Sequence, residues 1–70
     1  MDRYEIIIHW SDEDQVFIAE APELPGCMAH GATQQKALEN IQKAMRLWID
    51  AAAEDGRPVP EPLGRRLMFA

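Results

Sequence analysis

A single long helix with its own start and stop signals constrains this 70-residue chain more than any other feature. Thr33 is a suitable N-cap because its hydroxyl can accept a backbone N–H from the first helical turn. Gly56 suits the position just after the helix, and Pro58 cannot continue it. The sequence therefore predicts a helix from Gln34 to Glu54. Its apolar stripe recurs at helical spacing and consists of Leu38, Ile41, Met45, Trp48, Ile49 and Ala52.

Two segments before the helix have the character of paired strands. Arg3–Ser11 places its residues from Tyr4 to Trp10 alternately onto one face, and three of its residues are adjacent isoleucines. Gln15–Ala21 is a second apolar run. Because the acidic turn Asp12–Asp14 separates the two, the sequence predicts a β-hairpin.

A loop and a third strand connect the hairpin to the helix. Pro22–Gly26 is predicted to be a loop whose Pro-Gly pair suits a tight turn, and Cys27–Gly31 a short strand paired to the second. The fold class is therefore α+β, with one helix across one face of a three- to four-stranded antiparallel sheet, in the order β-β-β-α-(β).

The predicted domain is the whole chain, residues 1–70. Its core spans 3–56, and an extended, proline-containing tail spans 57–70. The tail residues Leu67–Phe69 would form either an added edge strand or an apolar anchor on another chain.

One face of the predicted sheet has no covering element within the chain. Its apolar residues would be Ile7 and either Val16 with Ile18 or Phe17 with Ala19. Apolar surface of this kind marks interaction sites. A short chain without a disulfide also gains stability from association. We therefore expect a homo-oligomer or a bound partner.

The net charge of −5 is concentrated in the first half of the chain. Residues 1–32 carry seven acids and one base, whereas residues 33–70 carry five acids and six bases. An acidic surface repels phosphate, so direct nucleic-acid binding by this chain alone is not expected. It would attract a basic protein, and simple solubility is the alternative explanation.

The chain carries no sign of a membrane or secreted protein. No apolar run approaches the roughly 20 residues that span a bilayer. One cysteine and the lack of a signal peptide indicate a reducing, cytoplasmic location.

The residues that suggest chemistry have structural explanations. Cys27 and His30 form a Cys-x2-His pair and His9 is a third conceivable ligand, but structural zinc takes four ligands. Positions 27 and 30 of a strand also point to opposite faces, so Cys27 is interpreted as a buried small hydrophobe. Asp12–Asp14 is interpreted as a solvated turn, although two or three acids can hold a divalent ion. No catalytic, cofactor-binding or metal-binding residue is predicted.

The segment from Pro22 to Pro62 carries a set of motifs in a fixed order. They are an acidic residue before "LPGC", a Gly and a Thr, a helix opening with "ALENI", and a Gly before "PVPEP". The residues that carry them here are Glu23, Leu24–Cys27, Gly31, Thr33, Ala37–Ile41, Gly56 and Pro58–Pro62. This pattern resembles the HicB-like antitoxin domain, and the resemblance implies a partial ribonuclease-H-like fold.

The resemblance also implies an antitoxin of a type II toxin–antitoxin pair. Its partner would be a HicA-like toxin, a small basic RNA-cleaving protein whose catalytic histidine the antitoxin blocks. Many relatives carry a C-terminal DNA-binding segment that represses their own operon. This sequence ends just past the shared domain, so we expect no C-terminal DNA-binding domain.

Contacts to the partner are predicted from charge and exposure, not from family-matched positions. They are Asp12, Glu13, Asp14 and Glu20 for charge, with Leu67 and Phe69 as apolar anchors. The alternative function is a solitary, oligomeric HicB-like domain without a toxin partner, either with vestigial nuclease activity that depends on a divalent metal or as a purely structural oligomer.

Overall fold

The computed structural model describes residues 3–61, which form a three-stranded antiparallel sheet followed by one helix. The strands β1 (Ile7–Ser11), β2 (Val16–Glu20) and β3 (Met28–Gly31) lie in that order across the sheet. The helix α1 is Gln34–Glu54. The predicted α+β class is therefore confirmed. The fourth strand predicted around Leu67–Phe69 lies outside the described residues.

The first two strands form the predicted hairpin. Ile7 is opposite Glu20 and Ser11 is opposite Val16, so β2 lies centrally between β1 and β3. The connecting loop closes through a hydrogen bond from the Gln15 N–H to the Ser11 carbonyl at 2.8 Å. Gln15 has a φ of 57°, in the left-handed region that completes the reversal of the chain.

Strand β1 begins at Ile7, not at Arg3 as predicted. Tyr4 precedes the strand and is buried, with 8% of its surface exposed. The Glu5 N–H donates to the Glu23 Oε1 at 2.7 Å, so this stretch is held by a loop side chain. The alternation of apolar residues already begins at Tyr4, before the first residue that pairs with β2. For this reason the predicted strand starts too early.

Both ends of α1 match the prediction from capping signals. Thr33 Oγ1 accepts the Lys36 N–H at 3.0 Å. At the other end Gly56 is left-handed, with φ 72°, and the Arg57 N–H donates to the Ala52 carbonyl at 2.9 Å. The bond from Arg57, the residue after the left-handed glycine, back to Ala52 is the one that defines the Schellman motif. This motif provides donors for carbonyls that have no partner within the helix.

The core lies between α1 and the sheet, and it is small. Its largest fully buried side chains are those of Leu24, Ile41 and Met45. The helix packs mainly over β3 and β2 and touches β1 little. As a result Trp10 remains 46% exposed, with its ring edge-on to Phe17 at a centroid distance of 5.0 Å. The buried apolar residues are Tyr4, Ala19, Ala21, Leu24, Cys27, Ala37, Ile41, Met45 and Ala52.

The structure decides which residues of β2 face away from the helix. Ala19 is fully buried and Phe17 packs against the core, so both lie on the helix side. Since side chains alternate along a strand, Val16 and Ile18 lie on the other side with Ile7. We call this side the open face. Its strand residues are Ile7, His9, Ser11, Val16, Ile18, Glu20, Met28 and His30.

The start of the proline-containing tail is tied to the core. The Tyr4 hydroxyl donates a hydrogen bond to the Pro60 carbonyl, so the two ends of the described chain are in contact at these positions. Tyr4 is also part of the buried cluster. The extended segment 57–61 is therefore held beside the start of β1.

Candidate functional site

The "LPGC" stretch forms a tight turn that is fastened to the helix. The Cys27 N–H donates to the Leu24 carbonyl at 2.9 Å, and Gly26 has a φ of 79°. Pro25 before a left-handed glycine is the signature of a type II turn. The Trp48 indole N–H donates to the Pro25 carbonyl at 3.0 Å. These contacts make the turn a joint between sheet and helix.

The Cys-x2-His pair is divided between the two sides of the sheet. Cys27 is 5% exposed and lies in the core, and burial raises the pKa of its thiol. His30 is exposed on the open face. Within residues 3–61, no three side chains of His, Cys, Asp or Glu lie close enough together to hold a metal ion.

Other motif residues also serve the junction between sheet and helix. The Asn40 amide donates to the His30 carbonyl at 2.7 Å and so joins α1 to the outer edge of β3. Gly31 is buried where α1 begins, and a β-carbon there would lie 2.4 Å from the Ala37 backbone nitrogen. No sequence signal identified the Asn40 and Trp48 bonds, because each joins a side chain to a carbonyl distant in sequence.

The three acids of the predicted turn lie at one end of the sheet. Asp12, Glu13 and Asp14 are exposed in the loop between β1 and β2. Their loop is held by side chains, since Ser11 Oγ donates to Asp14 Oδ2 at 3.2 Å and Gln15 Nε2 donates to the Asp12 carbonyl at 2.7 Å. The predicted contact residues of this loop are thus solvent-accessible and ordered by local hydrogen bonds.

Glu20 lies at the opposite end of β2, so the structure does not gather the predicted acids into one cluster. At about 3.3 Å per residue, the strand from Val16 to Glu20 separates them by about 13 Å. Glu20 lies beside a histidine instead, with its Oε1 3.8 Å from His9 Nε2. The other predicted contacts, Leu67 and Phe69, lie outside the described residues.

Apolar side chains of the open face lie along β2 and on both sides of Glu20. Val16 and Ile18 are half-buried on β2 between the hairpin loop and Glu20, and Ile7 (43% exposed) and Met28 (55% exposed) are opposite Glu20 on the neighbouring strands. Ile18 is opposite both His9 on β1 and His30 on β3. Met28 and His30 were predicted to lie in a strand, but the sequence alone did not indicate which face of the sheet they occupy. The alternation of β3, once paired to β2, supplies that assignment.

This arrangement is suited to binding a protein. An apolar centre between carboxylates offers burial to a partner and complements positive charge around it. In residues 3–61 the helix is not long and apolar enough to cross a membrane.

Comparison with known proteins extends the similarity beyond the motifs. Residues 4–65 match the model of the family described as the HicB-like antitoxin of bacterial toxin–antitoxin systems. A UPF0150 protein of Thermoplasma acidophilum is 36% identical over 58 residues, which cover 83% of each chain. A UPF0150 protein of Synechocystis sp. is 35% identical over 57 residues, covering 81% of this chain and 77% of that protein. A UPF0150 protein of Archaeoglobus fulgidus is 29% identical over 56 residues, covering 77% of this chain and 80% of that protein.

Proposed function

Because this chain belongs to the HicB-like antitoxin family, we propose that it binds a small, basic, HicA-like RNA-cleaving toxin and covers its active site. The family match over residues 4–65 carries this proposal. Membership of an antitoxin family implies a toxin partner of some kind. The acidic first half of the chain supports a basic one.

The charge distribution explains how such binding would inhibit a ribonuclease. A protein that holds RNA contacts its phosphates with Lys and Arg side chains. The strands β1, β2 and β3 contain neither Lys nor Arg, and Asp14 and Glu20 lie at opposite ends of the central strand region. When this chain is bound, its carboxylates would therefore compete with RNA for the same toxin cations. The apolar surface between them would cover the toxin and keep RNA from reaching it.

The proposed contacts remain those suggested by charge and exposure. Asp12, Glu13 and Asp14 would engage the toxin from the hairpin loop, and Glu20 from the other end of β2. Leu67 and Phe69 are proposed as apolar anchors. The chain acts by binding, without chemistry of its own, and does so in the cytoplasm, where its single cysteine stays reduced.

An RNA-cleavage assay with a purified HicA-like toxin tests the function. We expect cleavage to fall in proportion to the antitoxin added and to stop near one chain per toxin. Reversing charge at the hairpin loop with Asp12→Lys and Asp14→Lys should raise the concentration needed for inhibition. Asp50→Lys, an exposed acid on α1, is the matched control. Full cleavage at a large excess of the wild-type chain would refute the antitoxin role.

The alternative of a solitary metal-dependent nuclease gains no support from the described residues. It is tested by the same assay without toxin, with Mg²⁺ or Mn²⁺ added to the chain alone. Cleavage that depends on the metal would favour the alternative.

A further inference from the structure

Two depressions in the open face meet at the same pair of residues. The first is lined by Asp14, Val16, Ile18 and His30. The second is lined by Met28 and Ala29 together with the same Ile18 and His30. They form a continuous path from the hairpin loop across β2 to β3, with Ile18 at its centre.

The first depression has the chemistry to receive a long basic side chain. Val16 and Ile18 line it with apolar surface, and Asp14 and His30 are its polar lining residues. Lys and Arg bury their methylene stems along apolar surface and keep the charged head near a polar group. A stem over Ile18 and a cation at Asp14 satisfy both requirements at once.

The second depression is suited to an apolar side chain. Met28 is 55% exposed there. Methionine is flexible and polarisable, so it adapts to partners of varied shape. The path thus offers one position for a cation and an adjacent position for an apolar group.

The charges on the open face favour a basic partner over a second copy of this chain. Asp14 lies at one end of the face and Glu20 near the other, and none of the residues of β1–β3 is Lys or Arg. In a two-fold pairing both copies use the same surface, so each end of the face meets either the same end or the opposite end of the other copy, and both ends carry a carboxylate. Both ends of the face would then set carboxylate near carboxylate, and like charges at close range are destabilising. A basic partner meets opposite charge at both ends.

We propose that the open face is the docking surface for the toxin, with a toxin Lys or Arg in the depression beside Asp14 and an apolar toxin side chain beside Met28. This inference rests on the proposed function and specifies its surface. With this docking, strand residues supply most of the binding free energy. The contact residues are Ile7, Val16, Ile18 and Met28, in addition to the predicted acids.

Binding to a HicA-like toxin, inactivated by replacing its catalytic histidine with alanine, tests the surface by calorimetry. Met28→Lys and Ile7→Lys each remove an apolar contact and place a positive charge directly opposite Glu20, where it repels a basic partner and competes for that carboxylate. Each should weaken binding at least about tenfold. Leu47→Lys makes the same type of change at a residue that is 70% exposed on α1, and it should leave the affinity within about twofold. Exposed positions tolerate such changes, and lysine is common on edge strands, so the variants should fold, which far-UV circular dichroism verifies.

The depression beside Asp14 is tested by neutralising neighbouring acids. Asp14→Asn should weaken binding about fivefold or more and reduce its dependence on salt. Glu13→Gln lies in the same loop but does not line the depression, so its effect should be at most about half as large on a logarithmic scale. This pair retains the test if a lysine variant of the strands fails to fold.

The outcomes separate this inference from the proposed function. If the wild-type chain neither binds nor inhibits the toxin, both are overturned. If the wild type binds and the variants at Met28, Ile7 and Asp14 bind equally well, the open face is excluded and the antitoxin role stands. If Met28→Lys and Ile7→Lys abolish self-association in sedimentation while toxin affinity is unchanged, the face serves a second copy and the inference is wrong.

Discussion

Of the glycines in residues 3–61, Gly31 is the one where an added methyl group would meet the closest contacts. Its β-carbon in Gly31→Ala would lie 2.4 Å from the Ala37 backbone nitrogen, 2.7 Å from the Lys36 carbonyl carbon and 2.9 Å from the Lys36 Cβ. Unstrained contacts between heavy atoms lie at about 3.5–4.0 Å. The first turn of α1 therefore has to move away from β3 by roughly 1 Å, since backbone atoms cannot rotate aside as a side chain can.

The cost of this movement follows from what the first turn holds in place. Displacing it disturbs the packing of Ala37 and Ile41, both fully buried. Overpacking of a core costs about 1–3 kcal/mol and occasionally more, and the backbone contacts place Gly31→Ala near about 3 kcal/mol. A domain of this size is stable by about 3–5 kcal/mol. At about 4–8 °C per kcal/mol, the melting temperature should fall by roughly 12–24 °C.

Urea unfolding followed by far-UV circular dichroism measures this loss. Gly26→Ala and Gly56→Ala are matched controls, because an added β-carbon there meets no atom within 4 Å and only the positive φ of 79° or 72° opposes it. Each control should cost about 1 kcal/mol. If Gly31→Ala unfolds within about 0.5 kcal/mol of the wild type, α1 is not held tightly against β3 and the predicted clash is wrong.

Three further predictions concern the joints around the core. Thr33→Ala should lower the free energy of unfolding by about 1 kcal/mol because the Lys36 N–H loses its cap, and Thr33→Ser should restore most of it in the same urea titration. Trp48→Phe should cost about 0.5–1.5 kcal/mol beyond its lost packing because the Pro25 carbonyl loses its donor, and Trp48→Leu, which also lacks the donor, should be no more stable. The Cys27 thiol should react with a disulfide reagent only as fast as the protein unfolds, since it is buried and its pKa is raised. The buried neutral thiol also contributes stability that is fully present below the ordinary thiol pKa. That contribution is lost as pH rises through the raised pKa of the folded state. Rapid labelling of Cys27 without urea would contradict its place in the core.

The helix was predictable in detail because its signals are local. Thr33 and Gly56 act within one turn of the chain, so the bounds of α1 are confirmed without tertiary information. The same holds for the Pro25-Gly26 turn, where one dipeptide dictates the backbone. The order and pairing of the strands were predicted correctly, but each predicted strand is longer than the corresponding strand in the structure. Alternation indicates which residues suit a strand and does not show where the ladder of hydrogen bonds stops.

The candidate site was only partly predictable because it depends on pairing between distant segments. The sequence allowed two choices for the residues of β2 that face away from the helix, and the burial of Ala19 shows that they are Val16 and Ile18. Asp14 and Glu20 were both predicted as partner contacts, and their positions at opposite ends of β2 follow only from the fold. The grouping of Ile18 with His30 follows from the register between β2 and β3, which a single sequence does not determine.

The residues that identify the family and the residues proposed to bind its toxin lie on different sides of the sheet. Gly26 and Gly31 shape the joint with α1, and their substitution acts on folding. Ile7 and Met28 point away from that joint and are exposed, so they can change with little effect on the fold. If the open face docks the toxin as proposed, chains that share the "LPGC" turn can differ in the toxin they recognise. The turn would then mark the fold of the family, and the choice of toxin would depend on side chains that the motif does not include.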